Sequence, residues 1–142
     1  MLKNILTAAI LMSFCCLVSA TQNDNSMVVK SFINAYNQQN VSLMTSKMTD
    51  DIKWMSISDD TIIIETNSKA TLSHAMTSYF ASGVNTKSTL ENLFSHGDYV
   101  STVERATWVS DGQQKSQCSV AVYQLANTLI SHVWYHAAQP CD

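Results

Sequence analysis

Two histidines and one glutamate, His132, His136 and Glu104, are the side chains in this sequence best placed to move a proton. The histidines belong to the run Leu129-Ile-Ser-His-Val-Trp-Tyr-His136, whose β-branched and aromatic residues predict a strand. Their even spacing puts both on one face of that strand, with Trp134 between them. A neutral imidazole is a competent general base near neutral pH. The same pair cannot chelate one metal ion unaided, because strand positions four apart are separated by about 13 Å. His74 falls on a predicted helix and His96 in a turn, and no His-x-x-x-His or His-Glu-x-x-His spacing occurs on a helix, so no metal site is expected.

Glu104 sits in the predicted strand Val100-Ser-Thr-Val-Glu-Arg-Ala-Thr-Trp108. Alternation groups it with Val100, Thr102, Ala106 and Trp108, and sets Val103, Arg105, Thr107 and Val109 on the other face. Facing into an apolar pocket it could act as acid or base; otherwise it pairs with Arg105 or with a lysine on an adjacent strand. Asp59-Asp60 looks like a carboxylate pair, but neighbouring strand residues point to opposite faces, and a solvated turn is expected there. Nucleophilic catalysis finds no motif: there is no Gly-x-Ser-x-Gly elbow and, with three glycines in all, no phosphate-cradling loop.

Aromatic residues supply the walls a ligand would need. Trp54, Trp108 and Trp134 fall on three different predicted strands, joined by Phe32 and Tyr36 on the first helix and by Tyr79, Phe80 and Tyr123. Such rings can line a site for a hydrophobic molecule while their N–H or O–H groups orient it, and they can equally fill a core.

The elements that must position these groups can be read in order. Asp24 or Ser26 can cap a first helix carrying Val28, Val29, Phe32, Ile33 and Tyr36 at helical spacing and ending near Asn40, and Val41–Met48 reads as a short second helix. Asp51–Ile57 and Thr61–Thr66 look like strands about the turn Ser58-Asp-Asp60. Ser68 can cap a third helix, Lys69–Ser82, which Gly83 would stop. From there the pattern is strand only: Ser88–Ser95, Tyr99–Ser110, Lys115–Leu125 and Leu129–Ala137, with turns at Asp111-Gly112 and Ala126-Asn127-Thr128. Helices first and a long meander last is an α+β layout in one domain.

A chain of 142 residues, 46% hydrophobic and with a formal charge of −3, suits a single globular domain with a core. Seven lysines and one arginine are scattered without a basic run, which argues against a nucleic-acid partner. At the N-terminus, Lys3, the apolar stretch Ile5–Val18 and the small residues Val18-Ser-Ala20 read as a signal peptide cleaved before Thr21, so export to a periplasm or the exterior is expected, with residues 21–142 as the mature domain. The apolar run is short of the roughly 20 residues of a membrane span. Cleavage would leave two cysteines, Cys118 and Cys141. In an oxidising compartment they could form one disulfide, if the tail folds back at Pro140, or remain as two thiols with Cys118 packed in the sheet.

Three strings, Phe32-Ile-Asn-Ala-Tyr-Asn-Gln-Gln-Asn40, Met48-Thr-Asp-Asp-Ile-Lys-Trp54 and Leu129-Ile-Ser-His-Val-Trp-Tyr135, with a helix opening at Ser68 between them, resemble the SnoaL-like branch of the nuclear transport factor 2-like (NTF2-like) superfamily. The resemblance implies a cone-shaped, curved antiparallel sheet wrapped over about three N-terminal helices, a pocket between sheet and helices, and homodimers through the outer sheet face. Ketosteroid isomerases of this fold use a tyrosine, a carboxylate base and a protonated acid at positions that here fall on Phe32, about Ser56 and Ser119–Ala121. None has the required chemistry, so steroid isomerase activity is not expected. SnoaL-like cyclases look to an acid near the end of the last strand, where this chain offers His132 and His136. If Ile130 points inward, as the family pattern suggests, His132, Trp134 and His136 face the pocket and Tyr135 faces away.

The sequence therefore points to binding of a small hydrophobic molecule, with Trp54, Trp108, Trp134, Phe32, Tyr79 and Tyr123 as walls, and no cofactor. An enzyme of isomerase, cyclase or dehydratase type using His136, His132 or Glu104 is the alternative, and a dimeric interaction domain without ligand is a third.

Overall fold

The computed structural model describes residues 18–141, with side chains from Asn25 onward. The expected leader lies outside the described residues as far as residue 17. Helix α1 spans Val18–Asn37, α2 Val41–Thr45 and α3 Lys69–Ala81; the strands are β1 Met48–Ser58, β2 Thr61–Thr66, β3 Lys87–His96, β4 Tyr99–Ser110, β5 Gln113–Ala126 and β6 Leu129–His136. No helix among the described residues is long and apolar enough to cross a membrane.

Helix α1 starts upstream of the cap expected at Asp24 or Ser26, since nothing in Thr21-Gln-Asn-Asp-Asn-Ser26 breaks a helix already under way. Asn25, Val29, Phe32, Ile33 and Ala35 are buried at helical spacing, which lays one face of α1 on the sheet. Asn25 pins that face, its Nδ2 donating to the carbonyl of Gly97 at 2.9 Å. Asn40 caps α2 by accepting from the Leu43 amide at 3.0 Å. That helix is shorter than expected, and β1 takes Met48 as its first residue. Ser68 caps α3 by accepting from the Thr71 amide at 3.2 Å, and Gly83 ends it at φ +81°, a conformation in which other residues are strained.

The six strands form one curved sheet in the order β2-β1-β6-β5-β4-β3. It is mixed rather than wholly antiparallel: β1 pairs with β6 in parallel, while every other neighbour is antiparallel. The reason is the crossover, for the chain leaves β1 and β2 through α3 and returns along the far meander before β6 fills the gap beside β1. Asp111 and Gly112 both adopt positive φ in the β4–β5 turn, as do Asn127 and Thr128 between β5 and β6. Val29, Phe32, Ile52, Val100, Tyr123 and Val133 meet in the core between the helices and the inner face of the sheet.

After β6 the tail continues antiparallel along β5 as far as Gln139. Cys118 and Gln139 exchange two backbone hydrogen bonds of 2.8 Å, and Cys118 and Cys141 are joined by a disulfide with their Cα atoms 5.1 Å apart. Cys141, two residues beyond Gln139, thereby comes within bonding reach of Cys118.

Candidate functional site

A cavity of about 600 Å³ lies between the inner face of the sheet and the helices. That falls within the range of roughly 300 to 1,000 Å³ usual for small-molecule sites. Helix α1 contributes Phe32, Ile33 and Tyr36, α2 Met44, and α3 Met76 and Tyr79. From the sheet come Trp54 on β1, Ser88 on β3, Ala106 and Trp108 on β4, Gln117 and Ser119 on β5 and Tyr135 on β6. Glu104, also on β4, is the one charged side chain in the wall.

Glu104 is only 5% exposed. Four hydroxyls surround its carboxylate. Thr102 and Tyr123 donate to Oε1 at 2.8 and 2.6 Å, Tyr135 donates to Oε2, and Ser88 makes a long 3.4 Å contact with Oε2. Strand register explains this convergence. Thr102 pairs with Ala121 and Ala121 with Tyr135, while Val100 pairs with Tyr123 and Tyr123 with Val133. Ala121 and Ser119 have no bulk to interpose, so two tyrosine rings from neighbouring strands lean across them towards Glu104. The tyrosine hydroxyls lie 3.0 Å apart.

Burial, reinforced by the charge of Glu104, pushes Tyr123 and Tyr135 well above the ordinary phenol range. Both therefore stay protonated at neutral pH and serve as donors. Across the cavity Tyr36 and Tyr79 form a second hydroxyl set, with Tyr36 donating to Tyr79 at 3.5 Å and Tyr79 to Thr86 at 3.0 Å. Tyr36 is likewise raised above the usual phenol value, by burial first and then by its bond to Tyr79.

Of the residues singled out from sequence, Glu104, Trp54, Trp108, Phe32 and Tyr79 line the cavity. Tyr123 does not; it is wholly buried and reaches Glu104 from beneath. His132, Trp134 and His136 do not line it either, and Tyr135, expected to face away, does. The cause is a bulge. Leu125 pairs with Ile130 but Gln124 pairs with His132, leaving Ser131 as an extra residue that inverts alternation beyond it. Ile130 and Val133 thus both enter the core, whereas His132 and Trp134 stack on the other face with ring centroids 5.5 Å apart. His136 ends its strand in solvent.

Among the described residues Glu104 has no cationic partner: Arg105 binds Glu91 at 2.7 Å on the opposite face. Ser56 donates to Glu65 at 2.6 Å and is not part of the wall. Ser88 and Tyr135 are the neighbours of Glu104 that sequence reading missed, whereas alternation had grouped Thr102 with it. Among the described residues, no three His, Cys, Asp or Glu side chains gather as metal ligands would.

An NTF2-like protein of unknown function from Cytophaga hutchinsonii superposes with a TM-score of 0.61 at 15% identity, over 82% of this chain and 90% of its own. The chain has the NTF2-like fold. An uncharacterised cystatin-fold protein from Novosphingobium aromaticivorans matches at TM-score 0.67 and 25% identity, over 78% of this chain and 96% of that one. A Jannaschia protein assigned as a SnoaL-like polyketide cyclase matches at 0.65 and 16%, over 80% and 85%. By sequence, no family model and no curated protein matches. Among the described residues, the charged side chain lining the cavity is Glu104 on β4, and none comes from β6.

Proposed function

We propose that this is an exported SnoaL-like domain that binds one largely hydrophobic small molecule in its cone, with the polar end of the ligand against Glu104. The observation that carries the reading is a buried carboxylate in the wall of an aromatic cavity. Apolar area on the rings supplies affinity, and the few polar groups fix orientation. Native mass spectrometry of protein purified from its own host tests the proposal: a retained organic mass of one copy per chain is expected. An empty protein that also fails to take up any hydrophobic probe would sink it.

Proton transfer is the second reading, favoured by the placement of Glu104 at the wall with tyrosine donors on both oxygens. A carboxylate so held is fixed in orientation, and within reach of a ligand C–H or O–H it would act as general base. Glu104→Gln should then abolish turnover while an uncharged hydrophobic probe still binds. We also propose a homodimer through the outer sheet face, where Phe94, Val109 and Val120 are exposed. Sedimentation velocity giving a monomer at tens of micromolar would remove that part.

A further inference from the structure

We infer that the ligand of this cavity is an organic cation, an ammonium group carried on a hydrophobic body. The inference rests on the small-molecule reading above and names the class of molecule.

Among the described residues, the wall holds one carboxylate and no lysine, arginine or histidine. Arg105 pairs with Glu91 at 2.7 Å, Lys69 with Asp50 at 2.7 Å, and Lys87 donates to the backbone carbonyl of Asn37. Hydroxyl donors orient the carboxylate of Glu104 and occupy its oxygens, yet none of them brings a positive charge to it. A charge in a partly desolvated site attracts an opposite charge far more strongly than it would in water. An anionic ligand would meet repulsion there, and a neutral one would leave the charge uncompensated.

Hydrogen-bond capacity narrows the partner. A carboxylate has about four acceptor positions. Thr102 and Tyr123 fill Oε1, and Tyr135 takes one position on Oε2. The remaining position on Oε2 has only the 3.4 Å contact with Ser88, which an incoming N–H can displace.

The rings complete the cage. Phe32, Tyr36, Trp54, Tyr79, Trp108 and Tyr135 all line the cavity. Ring faces carry negative quadrupole charge and attract cations, tryptophan most strongly. Aromatic walls around a single carboxylate thus suit an ammonium head better than a hydroxyl or a carboxylate of the same shape.

The test is a set of three near-isosteric probes, 1-naphthylmethylammonium, 1-naphthylmethanol and 1-naphthoate, titrated calorimetrically into the full protein at neutral pH. The ammonium should bind at one per chain and at least about tenfold more tightly than the alcohol, with the naphthoate weakest. In Glu104→Gln the ammonium and alcohol should bind within a few-fold of each other. An alcohol as tight as the ammonium on the wild-type protein overturns the inference while leaving the pocket reading standing. A preference for ammonium that survives in Glu104→Gln overturns it too, because surface acids would then be responsible. If none of the three binds, the small-molecule reading falls with it. Should the Gln variant not fold, the wild-type ranking is repeated at about 0.5 M salt, where attraction to surface acids is screened, and loss of the ammonium preference there overturns the inference.

Discussion

Trp54 on β1 and Tyr135 on β6 stack with ring centroids 5.2 Å apart and planes within 13°. The parallel pairing of these strands sets Ser56 beside Tyr135 and Trp54 beside Val133, bringing the two rings together on the inner face. One tyrosine consequently walls the cavity with its ring and holds Glu104 with its hydroxyl.

Separating those two roles is straightforward. Tyr135→Phe keeps the stack and removes a donor to a carboxylate, so unfolding stability should fall by about 1.5 kcal/mol in urea titrations. Tyr135→Ala removes the stack as well and should cost about 3 kcal/mol or more. Equal losses in the two variants would show that the hydroxyl, and not the ring, carries the whole effect.

Alkaline titration reads the buried phenols directly. Tyr36, Tyr123 and Tyr135 are all raised, so they keep their protons in the native state above the pH at which an unfolded chain loses them. Their contribution to stability is complete below about pH 10 and is lost as pH climbs towards their native values, at about 1.4 kcal/mol per pH unit for each wholly buried phenol. Of the five tyrosines, native protein near pH 11 should show no more than two ionised by ultraviolet difference absorbance, against nearly all in denaturant. A native spectrum matching the denatured one would contradict the buried network.

The disulfide closes a loop between residues 23 apart in sequence. Loop-closure entropy assigns such a bond about 3 kcal/mol. A paired Cys118→Ala, Cys141→Ala variant should unfold at correspondingly lower urea, and reducing agent should have no further effect on it. Gln117 and Ser119 flank Cys118 and line the cavity, so ligand affinity should weaken in the same variant.

Ala121 is wholly buried where the two tyrosines cross. Ala121→Leu should therefore cost about 1 to 3 kcal/mol through overpacking and part the tyrosines from Glu104. Val120→Leu, one residue away on the exposed side, is the control and should be near neutral. Comparable losses from both would argue that strand β5 as a whole, rather than the hydroxyl cluster, is sensitive.

Much of the fold was legible in local pattern. Strand β4 obeys strict alternation because its ladder with β5 runs from Tyr99 to Ser110 without interruption, and Glu104 was grouped correctly with Thr102, Ala106 and Trp108. Strand β6 defeated the same rule, since a single extra serine reverses every side chain after it and Ser131 carries no local mark of a bulge. The partners of Glu104 were illegible for another reason. Tyr123 and Tyr135 meet it through lateral register across three strands, a relation that no spacing along one strand encodes. The parallel pairing of β1 with β6 is likewise a long-range choice, made by the crossover and not by either segment.

That crossover bears on how the molecule can be made. Strands β1 and β2 touch the rest of the sheet only through β6, the last strand synthesised. A two-stranded ribbon is at best marginal alone. Until Leu129–His136 has left the ribosome, the N-terminal hairpin has no seat and the cavity has no far wall. A sheet of this topology stays open until β6 is in place, so folding of the cavity waits on the strand that joins its two halves.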